Sequence, residues 1–409
     1  MTKPYEKLGK PLTLPCGAVI KNRFLKSAMS EILGTPEFAP SNALPILYAK
    51  WADGGTGLLV TGNVMIDQTA LGEPMNVVIE DERHLAALTK WANAGKKNGA
   101  HIWVQLNHPG KQSPKNLSPK PVAPSAIPFE SALSKFFATP KELSEEEIQQ
   151  LILRFARSAG IVKKAGFTGV QIHGAHGYLV SQFLSPLHNQ RNDRWGGSIE
   201  NRMRFVMEIY RAIRNEVGPE FPVGIKLNSA DFLKGGFSED DAAEVVTALA
   251  SEGIDLVEIS GGTYEAPAMT GSRMAKSGEE AYFLGFARKI RKTVNVPLVV
   301  TGGFRTSDAM AAAMEGGEID MVGLGRPIVV DPNLPNEILS GQPYRSTVKP
   351  LTTGVKALDR MAMLEITWYE NQIGRIGKGK EPKPHENVWV SMGKIITRSG
   401  IDQFRRRRA

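Results

Sequence analysis

Along the chain a helical stretch repeatedly ends in glycine or asparagine and a β-branched apolar run follows at once, as in DGGTGLLVTGN, KAGFTGVQIHG, SEGIDLVEISGG and EGGEIDMVGLGR. This grammar predicts eight strands, beginning near Phe24, Gly57, His101, Gly169, Val223, Leu256, Pro297 and Met321. Between them the apolar positions recur with helical period. The clearest helix opens with a capping box, Ser144 to Glu147, and sets Ile148, Leu151, Ile152, Phe155, Ala159 and Val162 on one face. Another starts at Ser238, with Asp241 as the matching acid.

Strands apolar on both faces, alternating with helices, predict a parallel sheet covered by helices. A closed barrel is the simplest such sheet. The rival is an open doubly wound sheet, whose GxGxxG phosphate fingerprint after the first strand is absent from FLKSAMSEILG. The expected fold class is therefore α/β, a single (β/α)8 TIM barrel over residues 1–345, with a C-terminal helical extension and basic tail over 346–409. A chain of 409 residues fits one such barrel with insertions.

Composition narrows this picture without changing it. With 42% hydrophobic and 22% charged residues the chain suits a large packed core and excludes the disordered classes. The single cysteine, Cys16, excludes internal disulfides and iron–sulfur clusters held by several thiolates of this chain. The start, MTKPYEKLGKPLTL, lacks the apolar core of a signal peptide, and no run reaches the roughly 18 apolar residues of a membrane span. A cytoplasmic protein without membrane contact is expected. Of the net charge of +8, four charges are the terminal run Arg405 to Arg408. Without interleaved aromatics or a second basic cluster, that run reads as a solvated end rather than a nucleic-acid contact.

Candidate chemistry collects at the strand ends, where barrels of this kind carry their active sites. Strand one is expected to end in Ser30, strand two in Gly62 and Asn63, strand three in Gln105 and His108, strand four in His173 and His176, and strand five in Lys226 and Asn228. Strands six to eight end in glycines: residues 260–262 (SGG), 301–303 (TGG) and 323–326 (GLGR). Each glycine alone reads as a tight turn. Jointly, Gly302, Gly303 and Gly325 with Arg326 read as a phosphate site at the last two strands. Two histidines and Tyr178 follow the fourth strand closely, and His173, His176 and His188 allow a metal reading. No carboxylate stands between them as in the usual zinc-hydrolase motifs, so no metal is assigned.

The segment HGAHGYLVSQFLSPLHNQRNDRWGGSIENRMRF (173–205) resembles the signature of the Old Yellow Enzyme, or NADH:flavin oxidoreductase, family. KNRFLKSAMS (21–30), GLLVTGN (57–63), VQLNHPGKQ (104–112), GIKLNSADF (224–232), VVTGGFRT (299–306) and VGLGRP (322–327) stand in the family's order. The resemblance covers roughly residues 8–345. It implies FMN across the barrel mouth, with its phosphate on Gly302, Gly303, Gly325 and Arg326, and Gly62 counted among the cofactor residues. Gln105 offers the donor and acceptor that the flavin pyrimidine edge requires. Lys226 would lie by N1 and C2=O, where reduction leaves negative charge; the family more often has arginine there. Ser30 stands where members direct threonine or cysteine at C4=O, although by itself it reads as a plain strand-end hydroxyl.

By the same resemblance His173 and His176 would bind the carbonyl or nitro oxygen of an activated alkene. Hydride would reach the far carbon from the flavin, and Tyr178 would protonate its neighbour, giving trans addition. NADH or NADPH would reduce the flavin beforehand at the same mouth, in ping-pong order. The implied activity is an FMN-dependent ene-reductase. Demethylation or dehydrogenation of an N-methyl amine on the same barrel stays open as an alternative, as does a non-catalytic flavin-binding module. The long Pro- and Ser-rich loop over 113–140 is expected to cover the mouth and shape substrate choice. In some subgroups the C-terminal region reaches a neighbouring subunit, so a homo-oligomer is allowed and Arg375 is the candidate contact.

Overall fold

In this computed structural model the described residues are 5–266, 280–349, 351–355, 363–391 and 393–394. Eight parallel strands close into a barrel: β1 (Phe24–Lys26), β2 (Leu58–Met65), β3 (His101–Asn107), β4 (Gly169–Gly174), β5 (Val223–Asn228), β6 (Leu256–Ser260), β7 (Leu298–Thr301) and β8 (Met321–Leu324). Each strand pairs with its neighbour in sequence, and β8 returns to β1 through Val322 opposite Phe24. The strands start at or within one residue of the positions the sequence predicts. One irregularity matters for the mouth: between Val60 and Asn63 the register of β2 on β3 shifts. Ser30 and His176 lie beyond their strands, whereas Gly62 lies within β2.

Helices cover the strands. They are α1 (Ala43–Asp53), α2 (Leu85–Gly95), α3 (Glu145–Lys164), α4 (Arg204–Val217), α5 (Glu239–Ser251), α6 (Leu284–Arg291) and α7 (Ser307–Glu315). Both predicted capping boxes form: Ser144 Oγ accepts from the Glu147 amide while Glu147 accepts from the Ser144 amide, and Ser238 and Asp241 do the same. Each box satisfies two helix-end amides, worth about 1 kcal/mol for the capping side chain. The predicted apolar face of α3 is buried throughout.

Side chains at every second strand position face the barrel interior, and their chemistry changes along the axis. At the N-terminal end Leu25, Leu58, Val60, Trp103, Leu256, Val299 and Met321 form one apolar cluster. An antiparallel pair, Leu12–Thr13 with Val19–Ile20, adds Leu12, Leu14 and Ile20 to it. Trp103 fills much of this space because Gly169 and Gly224 yield it: a Cβ there would lie 2.5 Å and 2.8 Å from the indole. Below the mouth the barrel is therefore packed.

Two positions further along β1 and one step up each neighbouring strand, the inward residues turn polar. The C-terminal helix α8 (Met363–Ile376) packs against this end of the barrel, with Trp368, Tyr369, Ile373 and Ile376 in the main core cluster beside Leu47 and Trp51. Helix α8 thus contributes to the barrel's own core. Arg405 to Arg408 lie outside the described residues.

Candidate active site

Across the barrel, Gln105 Nε2 donates to Gln171 Oε1 at 2.8 Å, and Gln171 Nε2 donates to Glu258 Oε2 at 2.7 Å. Glu258 Oε1 accepts from Ser27 and from Thr301 (2.7 Å) and lies 3.1 Å from Lys226 Nζ, which also donates to Ser27 at 2.8 Å. Lys226 and Glu258 are both buried. Burial acts to raise the Glu258 carboxyl, but Lys226 and three donated hydrogen bonds outweigh it and hold the group below its ordinary range. The network fixes Gln105 and Lys226 from behind. On the outer side of β1, Lys26 is likewise buried against Glu31, Tyr48 and the Val60 carbonyl. Here Tyr48 also accepts the Gly62 amide, so Gly62 is tied to the barrel wall by its N–H.

The fourth-strand cluster assembles at the mouth. His173 and His176 meet edge to face with ring centroids 5.2 Å apart, and His173 meets Tyr178 in the same way at 4.8 Å. His173 Nδ1 accepts the Ala175 amide, which leaves the proton, and donor capacity, on its other nitrogen. His176 takes a left-handed φ of 61°, its amide donates to Asn228 Oδ1, and its Nε2 meets Ser260 Oγ at 2.9 Å. Burial first, then the nearby Lys226 charge, pushes the His176 imidazole down to about 3; burial, His176 and Lys226 push His173 well below its usual value. Both rings are neutral at ordinary pH. Burial, with Tyr264 and Glu73 adding, pushes the Tyr178 phenol well above its ordinary value, so it stays protonated. Its hydroxyl lies 3.0 Å from that of Tyr264.

Ser30 has partners that the sequence does not announce. Its Oγ lies 2.6 Å from Glu73 Oε2 and 2.6 Å from Glu370 Oε1. One hydroxyl hydrogen serves one carboxylate, so the second short contact needs a protonated carboxyl. Burial raises the Glu73 carboxyl, Ser30 partly offsets that, and Glu31 adds to it. Glu370 belongs to α8, as does Glu365, which takes Arg326 Nη1 at 2.7 Å. Two glutamates of the C-terminal helix therefore engage two of the expected cofactor residues. Arg375 on the same helix instead donates to the Glu381 carbonyl of its own chain.

Gly302 and Gly303 follow β7 with φ of 112° and 96°, a region side chains rarely adopt. At Gly303 a Cβ would also lie 2.8 Å from the Ala281 amide nitrogen. Gly325 precedes a short helix that starts at Arg326. These three glycines and Arg326 lie at adjoining strand ends. Among the described residues no group of three or more His, Cys, Asp or Glu side chains is placed to hold a metal ion.

The 113–140 loop is anchored rather than free. Val122–Ala123 pairs with Lys141–Glu142, and Arg191 donates to the Pro124 and Leu143 carbonyls. Next to it, Lys111 Nζ meets His188 Nδ1 at 3.0 Å, and His188 Nε2 lies 3.3 Å from Glu265. His188 is thereby occupied in joining three loops. No helix among the described residues is long and apolar enough to cross a membrane.

Residues 7–344 match the model of the NADH:flavin oxidoreductase / NADH oxidase family. The chain is 37% identical over 356 residues to the NADH-dependent flavin oxidoreductase iccE of Talaromyces variabilis, covering 81% of this chain and 86% of that one. It is 38% identical over 354 residues to the NADH-dependent flavin oxidoreductase iliE of Neonectria sp., covering 80% of this chain but spanning only 46% of that protein. Among solved structures, the old yellow enzyme homologue from Zymomonas mobilis superposes with a TM-score of 0.72 at 25% identity, over 84% of this chain and 95% of that one.

Proposed function

The chain belongs to the NADH:flavin oxidoreductase / NADH oxidase family, flavin oxidoreductases that draw electrons from NADH or NADPH, and from that premise we propose that it reduces activated carbon–carbon double bonds. The observation that carries this reading is the cluster of His173, His176 and Tyr178, two neutral imidazoles and a protonated phenol in edge-to-face contact at the mouth.

The residues present suit FMN. A buried cation, Lys226, is linked to the Gln105 carboxamide through Glu258 and Gln171, and glycine turns with Arg326 lie at the ends of two other strands. Because Trp103 fills the interior below, a flat ligand would lie across the mouth rather than within the barrel. Ser30, Gly62, Gln105 and Lys226 would face the ring system, and Gly302, Gly303, Gly325 and Arg326 the phosphate. Arg326 spends one nitrogen on Glu365, and a guanidinium has five N–H donors, so the pair is compatible with a phosphate contact. When bound, FMN accepts hydride from the nicotinamide and delivers it to the alkene.

The protein's own residues do the rest. His173, donating from Nε2, would bind the substrate's carbonyl or nitro oxygen and draw electron density from the far carbon. His176 would add a second donor, for which the substrate oxygen must share or displace Ser260. Tyr178 would protonate the carbon next to the one that accepts hydride. Its raised pKa guarantees the protonated form before the reaction. The test is anaerobic: protein reduced by NADPH or NADH should be reoxidised by cyclohexenone, maleimide or a nitroalkene, and failure with all three would overturn the reading.

A second reading has one observation in its favour. The Glu73–Glu370 pair beside Ser30 holds a carboxylate that would attract a cationic amine and take the proton it must lose before an N-methyl carbon gives up hydride. Direct anaerobic reduction of the flavin by a methylated amine would establish it.

A further inference from the structure

Tyr178 is buried, with 6% of its surface exposed, and a substrate above it would close it off further. Once it has given up its proton it needs both stabilisation as a phenolate and a route to a new proton. Its hydroxyl lies 3.0 Å from the hydroxyl of Tyr264, and either can donate. Tyr264 is half-buried, less enclosed than Tyr178, and is followed at once by the exposed Glu265.

The pair is held in place by backbone. His176, two residues before Tyr178, forms a parallel bridge with Thr263, the residue before Tyr264. Thr263 in turn closes its own turn, its Oγ1 accepting from the Glu265 and Ala266 amides. Two loops from different strands are thereby tied together one residue from the phenol contact.

We propose that Tyr264 acts through Tyr178 as a positioning and proton-relay residue, donating its O–H to the Tyr178 oxygen while Tyr178 protonates the substrate. The proposal rests on reading Tyr178 as the proton donor of alkene reduction. In the step, the Tyr178 O–H bond breaks and a C–H bond forms at the carbon beside the one that took hydride. The Tyr264 proton moves to the Tyr178 oxygen, and water returns a proton to Tyr264. The hydride electrons come from the nicotinamide through the flavin, so no further reductant is needed. Burial, with Glu73 adding, opposes loss of a proton from either phenol, which keeps both loaded before the reaction.

The experiment is stopped-flow on the FMN-loaded protein with Tyr264→Phe, Tyr178→Phe and the double variant, each half-reaction followed separately. Tyr264→Phe should leave flavin reduction by the nicotinamide within about twofold and slow reoxidation by the alkene about tenfold, the value of one hydrogen bond to a developing charge. In the double variant the Tyr264 change should cost nothing beyond Tyr178→Phe, because the relay acts through the missing hydroxyl. Equal slowing of both half-reactions, no slowing of reoxidation, or additive effects in the double variant would overturn the relay while leaving ene-reduction intact. A wild-type protein that no alkene reoxidises would overturn ene-reduction, and the relay with it.

Discussion

Lys226 Nζ lies 3.1 Å from Glu258 Oε1 inside the barrel, so the cation assigned to the cofactor reaches the mouth already paired. Removing one partner of a buried pair strands the other charge, which costs about 3–5 kcal/mol. Glu258→Ala should lower unfolding stability by that amount, while the double change Lys226→Met with Glu258→Leu should cost less, as measured by urea denaturation. With FMN bound, Glu258→Gln leaves Lys226 uncompensated and should raise the flavin midpoint potential. A lowered or unchanged potential would take Lys226 away from the ring.

Tyr178→Phe separates the two half-reactions. Flavin reduction by the nicotinamide should survive, while reoxidation by an alkene should fall by about 100-fold or more, the usual contribution of a general acid. Equal loss of both halves would sink the proton-donor role.

The two imidazoles are tested by ligand binding rather than turnover. A phenol held over the flavin perturbs its absorption, and the double change His173→Ala with His176→Ala should abolish or strongly weaken that titration. An unaltered titration would remove both residues from oxygen binding.

Buried neutral histidines also shape the pH dependence of stability. His108 is pushed down to about 4 and His176 to about 3, in each case chiefly by burial, and His173 is pushed down for the same reason. In the unfolded chain histidines titrate at about 6.5. From there down to about 4 the unfolded chain takes up protons that the folded protein does not, so stability falls as pH falls through that range. Glu73, Asp231 and Asp331, raised on folding chiefly by burial, act in the opposite sense, against four lowered histidines once His101 is counted. The thermal midpoint of the protein should therefore drop between pH 7 and pH 5; an unchanged or higher midpoint would contradict the neutral assignment.

The barrel was legible because strand starts are marked by glycine followed by β-branched runs, and all eight strands begin where that pattern places them or one residue later. The fourth-strand cluster was legible for a related reason: its residues are neighbours in sequence. Glu258 left a signal that went unread, a lone carboxylate within the apolar run LVEIS, where an inward charge must find a partner. Tyr264, following the SGG turn of the sixth strand, was visible as a polar aromatic at the mouth, but its pairing with Tyr178 depends on the bridge between two loops. The contacts of Glu370 with Ser30 and Glu365 with Arg326 join residues 340 and 39 positions apart and carry no local periodicity. Such contacts follow from how α8 docks on the closed barrel, which sequence spacing does not encode.

On the proposed mechanism electrons pass from a nicotinamide through FMN at this mouth to an activated alkene, and one anaerobic titration tests it. Protein loaded with FMN should bleach on addition of NADPH or NADH, and its flavin absorption should return on addition of cyclohexenone, maleimide or a nitroalkene, with the saturated product formed in equal amount. A protein that fails to bind FMN, or whose reduced flavin persists in the presence of all three alkenes, would contradict the account.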